Sequence, residues 1–89
     1  MNSLLITLIF TSFAINQDAM AQSRLLESVK RNPEEAKSLC NSFRELNKEN
    51  ISAGSSKSIQ EISIQKNISE VDAEILSMYV RGLYCPETF

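Results

Sequence analysis

Cysteine occurs only twice along this chain, as Cys40 and Cys85, and no other feature limits the possible folds as much. Two cysteines allow a single intramolecular pairing. A bridge between them would close a loop of about 45 residues and stabilise the fold by roughly 4 kcal/mol in the chain-entropy treatment. The alternative is two reduced cysteines buried as small apolar residues. The choice depends on compartment, because disulfides persist where the surroundings are oxidising. The N-terminus therefore bears directly on the architecture.

Leu4 to Ile15 is an apolar run broken only by Thr7, Thr11 and Ser12, with no charge inside it. It is shorter than the ~20 residues a spanning helix needs, but it fits the core of a secretory leader. Asn16-Gln17-Asp18 follows, then Ala19-Met20-Ala21. Ala19 and Ala21 supply the small side chains that a signal peptidase admits, so cleavage is expected before Gln22, dividing the chain into a leader (1–21) and a domain (22–89). Export places the protein in a secreted or periplasmic compartment, with no stable membrane span after cleavage, and favours the bridge. The alternatives are a buried N-terminal helix or a retained anchor.

Beyond Gln22 no segment shows hairpin alternation bounded by Asn-Gly or Asp-Gly. Ser23 to Arg31 places Leu25, Leu26 and Val29 on one side and stops before Asn32-Pro33, a helix boundary. A second helix is expected from Pro33 to about Lys48, with Asn32 and Glu35 as a reciprocal capping box. Its apolar stripe is Ala36, Leu39, Cys40, Phe43 and Leu46. Asn50 to Ser56 reads as a polar loop. Lys57 to Gln65 reads as a short helix, although Ile62-Ser63-Ile64 alternates as a strand would. The last helix opens at Ser69-Glu70-Val71-Asp72, a second capping pattern with Ile68 and Ala73 as its staple, and ends before Pro86. Val71, Ile75, Met78 and Tyr79 form one stripe, with Leu76, Val80 and an inward-facing Leu83 beside it, a face wide enough for the central helix of a small bundle. Gly82 gives room for a close neighbour. The fold class is all-α, a small bundle of three to four short helices stapled by one disulfide.

Leu39-Cys40 in an early helix, Ala73 in the last helix and the closing Tyr84-Cys85-Pro86 resemble a family of small secreted actinobacterial proteins, best represented in mycobacteria and known only as a domain of unknown function. The resemblance spans about Leu25 to Pro86. It implies the same helices and a Cys40–Cys85 bridge, and it implies no activity.

Sites for chemistry are sparse. The chain has no His, which removes the commonest general base and zinc ligand. A pI near 5.1 and a net charge of −2 argue against a nucleic-acid partner, which calls for a basic face. Ser63 and Lys66 have Ser-x-x-Lys spacing, but a pair so spaced arises by chance in a chain this rich in serine. Glu70, Asp72 and Glu74 would make a weak cation site, and the helix dipole already explains acids at a helix start. Asn50-Ile51-Ser52 and Asn67-Ile68-Ser69 are glycosylation sequons that matter only in a eukaryotic secretory pathway. Tyr79 and Tyr84 suit the core. Tyr84 is also, with Phe89, a candidate contact for an unidentified protein partner. These features point to a non-enzymatic exported domain without a cofactor, which binds something or occupies the envelope. The alternative is a periplasmic stress or chaperone-like protein that exposes apolar surface on partial unfolding.

Overall fold

The computed structural model describes residues 22–89. The leader expectation, including Ala19 and Ala21, falls on residues 1–21 and so lies outside the described residues. Four helices follow one another: α1 (22–31), α2 (Pro33–Lys48), α3 (Ser56–Lys66) and α4 (Glu70–Tyr84), closed by a 3₁₀ turn, Pro86–Thr88. No strand occurs among the described residues, so the Ile62-Ser63-Ile64 alternation belongs to a helix. Ile62 faces the core and Ile64 faces solvent.

Local chemistry accounts for the helix ends. Pro33 opens α2 with its ring already set for helical φ. The expected capping box does not form. The Asn32 side chain donates backwards instead, to the Ser28 carbonyl at 2.9 Å, and so serves an unsatisfied carbonyl at the end of α1. Glu35 forms an ion pair with Lys66 that ties α2 to α3. Ser55 and Ser69 do act as caps, their hydroxyls accepting from Ser58 N–H at 3.3 Å and Asp72 N–H at 3.1 Å.

Both Asn-Ile-Ser tripeptides prove to be helix stops. Asn50 (φ 63°) follows α2 and Asn67 (φ 55°) follows α3, each in the left-handed conformation that asparagine tolerates better than most residues. The next amide then turns back. Ile51 N–H donates to the Leu46 carbonyl at 2.9 Å, and Ile68 N–H donates to the Ser63 carbonyl at 3.1 Å. Ile51 and Ile68 are half-buried, and Ser69 goes on to cap α4. In each tripeptide one residue stops a helix, and in the second the next residue, Ile68, packs against the core.

The core joins Val29 from α1, Ala36, Cys40 and Phe43 from α2, Ala53 from the connecting loop, Ile59 and Ile62 from α3, and Ala73, Leu76 and Val80 from α4. The loop is therefore polar only in part, since Ala53 is fully enclosed. Helix α4 is central and packs on α2, α3 and the closing turn. It buries only one edge of the wide apolar face expected, the edge with Leu76 and Val80. Ala73, Leu76, Ser77 and Val80 point inward, whereas Val71, Met78 and Leu83 are 67%, 49% and 52% exposed. Apolar residues surround most of α4, so periodicity alone does not choose a side. Packing selects the strip carrying Ala73 and Ser77, whose small side chains let the neighbouring helices come close.

The staple forms as expected. Cys40 and Cys85 are disulfide-bonded with Cα atoms 5.9 Å apart, inside the range such a bond requires. Both are buried.

Candidate functional site: the C-terminal corner and the outer face of α4

Immediately after α4 the chain folds over its own end. Cys85 is anchored to α2 through Cys40. The Thr88 hydroxyl, itself buried, donates to the Cys85 carbonyl at 2.7 Å and holds the 3₁₀ turn closed. Outside the turn, Arg44 of α2 grips Glu87, with Nη2 2.7 Å and Nε 2.8 Å from one carboxylate oxygen. The hydrogen bond from Arg44, assisted by a backbone N–H, holds the Glu87 carboxyl below its ordinary range. The disulfide and the Arg44–Glu87 pair thus tie residues 85–89 to α2, and the Thr88 hydrogen bond closes the turn on itself.

Beneath this turn lies a residue that the sequence reading passed over. Arg81 is 7% exposed although it sits in the last turn of α4. Its guanidinium stacks on the Phe89 ring, with Cζ 4.2 Å from the centroid. On another side it presses against the Gly54 backbone, where an added Cβ would stand 3.3 Å from Nη1. Burial lowers its pKa, yet a guanidinium remains charged. Arg81 Nε has no hydrogen-bond partner, and neither does the Ser77 hydroxyl one turn earlier. Among the described residues no carboxylate lies within ion-pair distance of Arg81. The glycine that allows a close approach is therefore Gly54. Gly82, expected to fill that role, has no atom within 4 Å of the Cβ it lacks. The available signal was the i, i+4 row Ala73–Ser77–Arg81, which continues the core side of α4 into a charged residue.

The sequence candidates are dispersed. Ser63 and Lys66 are not a catalytic pair: the Ser63 hydroxyl donates to the Ile68 carbonyl at 2.6 Å, and Lys66 is paired with Glu35. Glu70 and Glu74 line an open groove between α3 and α4 of about 320 Å³, together with Gly54, Ser56, Ile59 and Gln60. Among the described residues no three acids, Cys or His converge as metal ligands. Tyr79 and Tyr84 are half-buried against the core. Phe89 is 70% exposed, and the face of its ring is already taken by Arg81. Gln22 is exposed at the start of α1.

The only large apolar side chains left in solvent are Ile64 on α3, Val71, Met78 and Leu83 on α4, and Phe89, among the described residues. Four of the five thus lie on the last helix and its closing turn. No described helix is long and apolar enough to cross a membrane. The family described as Domain of unknown function (DUF8664) matches residues 26–85. No curated protein and no solved structure matches the chain.

Proposed function

This chain belongs to the DUF8664 family, and from that membership and the geometry above we propose that it is an exported, non-enzymatic binding domain working through the outer face of α4 and the adjoining turn. One observation carries the reading: Val71, Met78 and Leu83 stand exposed on α4, and Phe89 just beyond it, while Ala73, Leu76, Ser77, Val80 and Arg81 fill the buried side. Apolar groups left in water on one element give a surface suited to docking. The Cys40–Cys85 bridge supports an oxidising compartment, and so does the leader-like N-terminus with Ala19 and Ala21 before Gln22. The likeness to small secreted actinobacterial proteins points the same way.

The test is affinity capture from the envelope fraction of the native cell, with Met78→Glu and Leu83→Glu beside the wild type. Both positions are exposed, so the fold should survive. The wild type should retain a partner that both variants release. Equal retention by all three would overturn the reading. Intact mass tests export separately: the exported form should begin at Gln22, and full-length protein held in the cytosol would remove that part of the proposal.

A further inference from the structure

Arg81 carries a charge that the fold does not answer. It is 7% exposed, its guanidinium has no ion-pair partner among the described residues, and Nε has no hydrogen-bond partner. The Phe89 ring covers one face, with Cζ 4.2 Å from the centroid. The edge of the guanidinium is turned towards Gly54. The Cβ that Gly54 lacks would stand 3.3 Å from Nη1 and 3.5 Å from Nη2. Gly54 is itself exposed, so the two terminal nitrogens come up beneath a surface position that has no side chain.

That position is the approach to a helix start. Gly54 immediately precedes Ser55, the cap of α3. The Ser55 hydroxyl serves the Ser58 amide, and its carbonyl serves the Ile59 amide. The Ser56 and Lys57 amides before them are the unpaired donors that every helix start leaves. Both residues are exposed. The first turn of α3 contains no acid, and Lys57 adds a cation to it.

We infer that Arg81 and the start of α3 together form a binding site for a phosphate-type oxyanion. The Ser56 and Lys57 amides, the Lys57 ammonium and the terminal nitrogens of Arg81 are its donors. A helix start favours an anion through its amides and dipole, and the buried guanidinium gains the counter-charge that it otherwise lacks. Donors arriving from a helix axis, a planar guanidinium edge and a flexible ammonium suit a tetrahedral oxyanion. A carboxylate takes its donors largely in one plane. Gly54 keeps the approach open, because a methyl group there would occupy it. Glu70 and Glu74 line the groove that Gly54 and Ser56 share. Glu74, the nearer to Arg81, is seven residues away, about 10 Å along the axis, which exceeds a Debye length at physiological salt. Two or three charge-assisted hydrogen bonds at a wet site place the dissociation constant on the order of 1 mM. The site is separate from the apolar docking face, since Arg81 continues the buried row of α4.

Inorganic phosphate titrated into the ¹⁵N-labelled, disulfide-bonded protein at constant ionic strength should move the Ser56 and Lys57 amide resonances saturably. Arg81→Met keeps a long buried stem and removes the charge. It should melt in chloride no lower than the wild type, yet bind phosphate about 10-fold more weakly or worse. Lys57→Gln, at an exposed position, should weaken binding about 3-fold, whereas Lys30→Gln, the same charge change on α1, should not. Met78→Glu should bind phosphate as the wild type does, which separates this site from the docking face. Vesicles containing phosphatidic acid distinguish the sources. Saturable binding to them that free phosphate competes away would support a lipid headgroup, and a response to free phosphate alone would support the free ion. Shifts that do not saturate, shifts that persist in Arg81→Met, or indifference to Lys57→Gln would each overturn the inference. Acetate binding as tightly as phosphate would overturn the choice of oxyanion and make a protein carboxylate the occupant.

Discussion

Helices α2 and α4 are nearly equal in length, both are crossed by the core, and the disulfide joins them, yet they relate to the sequence in opposite ways. In α2 the apolar residues fall on one side and the charged ones on the other. Ala36, Cys40 and Phe43 are accordingly buried, with Leu39 and Leu46 half-buried beside them. In α4 apolar residues occupy most of the circumference, and the bundle buries the strip carrying Ala73, Leu76, Ser77, Val80 and Arg81. The comparison shows that a hydrophobic stripe predicts a buried face only when the rest of the helix is polar. When it is not, close packing decides, and the discarded stripe remains on the surface.

The sharpest way to break the comparison is to remove the bond that joins the two helices. The bridge closes a loop of 45 residues, so its reduction should destabilise the domain by roughly 4 kcal/mol. That is comparable with the whole stability of a domain this small. Cys40→Ser and Cys85→Ser should do equal damage in thermal or denaturant melts, because each removes the same bond. Unequal damage, or a reduced protein that melts like the oxidised one, would show that the cysteines act only as packed side chains.

Truncation probes the two stripes directly. Phe43 is 1% exposed on α2, and Phe43→Ala should cost about 3–5 kcal/mol through lost burial and the cavity left behind. Met78→Ala on the outer strip of α4 should change stability by less than about 0.5 kcal/mol, as ordinary surface substitutions do. A large effect at Met78 in dilute solution would mean that the outer strip is covered within one chain.

The same contrast explains how much was legible beforehand. Helix existence was readable almost throughout, because Asn32-Pro33, Ser69 and Cys85-Pro86 punctuate the chain with groups whose backbone chemistry is local. The disulfide was readable because only one pairing existed. Besides the cap at Asn32 and the open space at Gly82, three things were not. The two Asn-Ile-Ser segments looked like modification motifs, since nothing in a tripeptide reveals that its Asn takes positive φ. The burial of Ala53 depends on how the loop crosses α4, which is a tertiary fact. Arg81 was missed because a charged residue in the last turn of a helix is normally explained by the dipole. Only the approach of Gly54 and Phe89 shows that it lies inside.

The glycine of α4 offers a smaller test. Gly82 is helical, and a methyl group added there meets nothing within 4 Å. Gly82→Ala should therefore stabilise the domain by about 0.5–1 kcal/mol, by reducing the freedom of the unfolded chain. Gly54→Ala should do the reverse, because its methyl would push on the Arg81 guanidinium at 3.3 Å. Opposite signs at the two glycines, read as shifts in melting temperature, would establish that the close approach belongs to the loop rather than to the helix.

The smallest effect is expected at the clamp between α2 and the closing turn. Arg44 and Glu87 are both substantially exposed, and exposed ion pairs contribute little. The direction of the pH dependence is nevertheless determined. Because the folded state holds Glu87 below its ordinary pKa, the unfolded chain takes up this proton first as pH falls. The clamp's contribution is therefore complete above the ordinary carboxylate range and is lost as pH drops through the lowered value. Glu87→Gln should lower the melting temperature slightly at neutral pH, and the difference from wild type should shrink towards zero in acid. Added salt should narrow the neutral-pH difference as well, since the pair faces solvent. A difference that stayed constant across acid pH would mean that Glu87 acts through packing of the turn, and that the disulfide rather than the ion pair holds the C-terminus to α2.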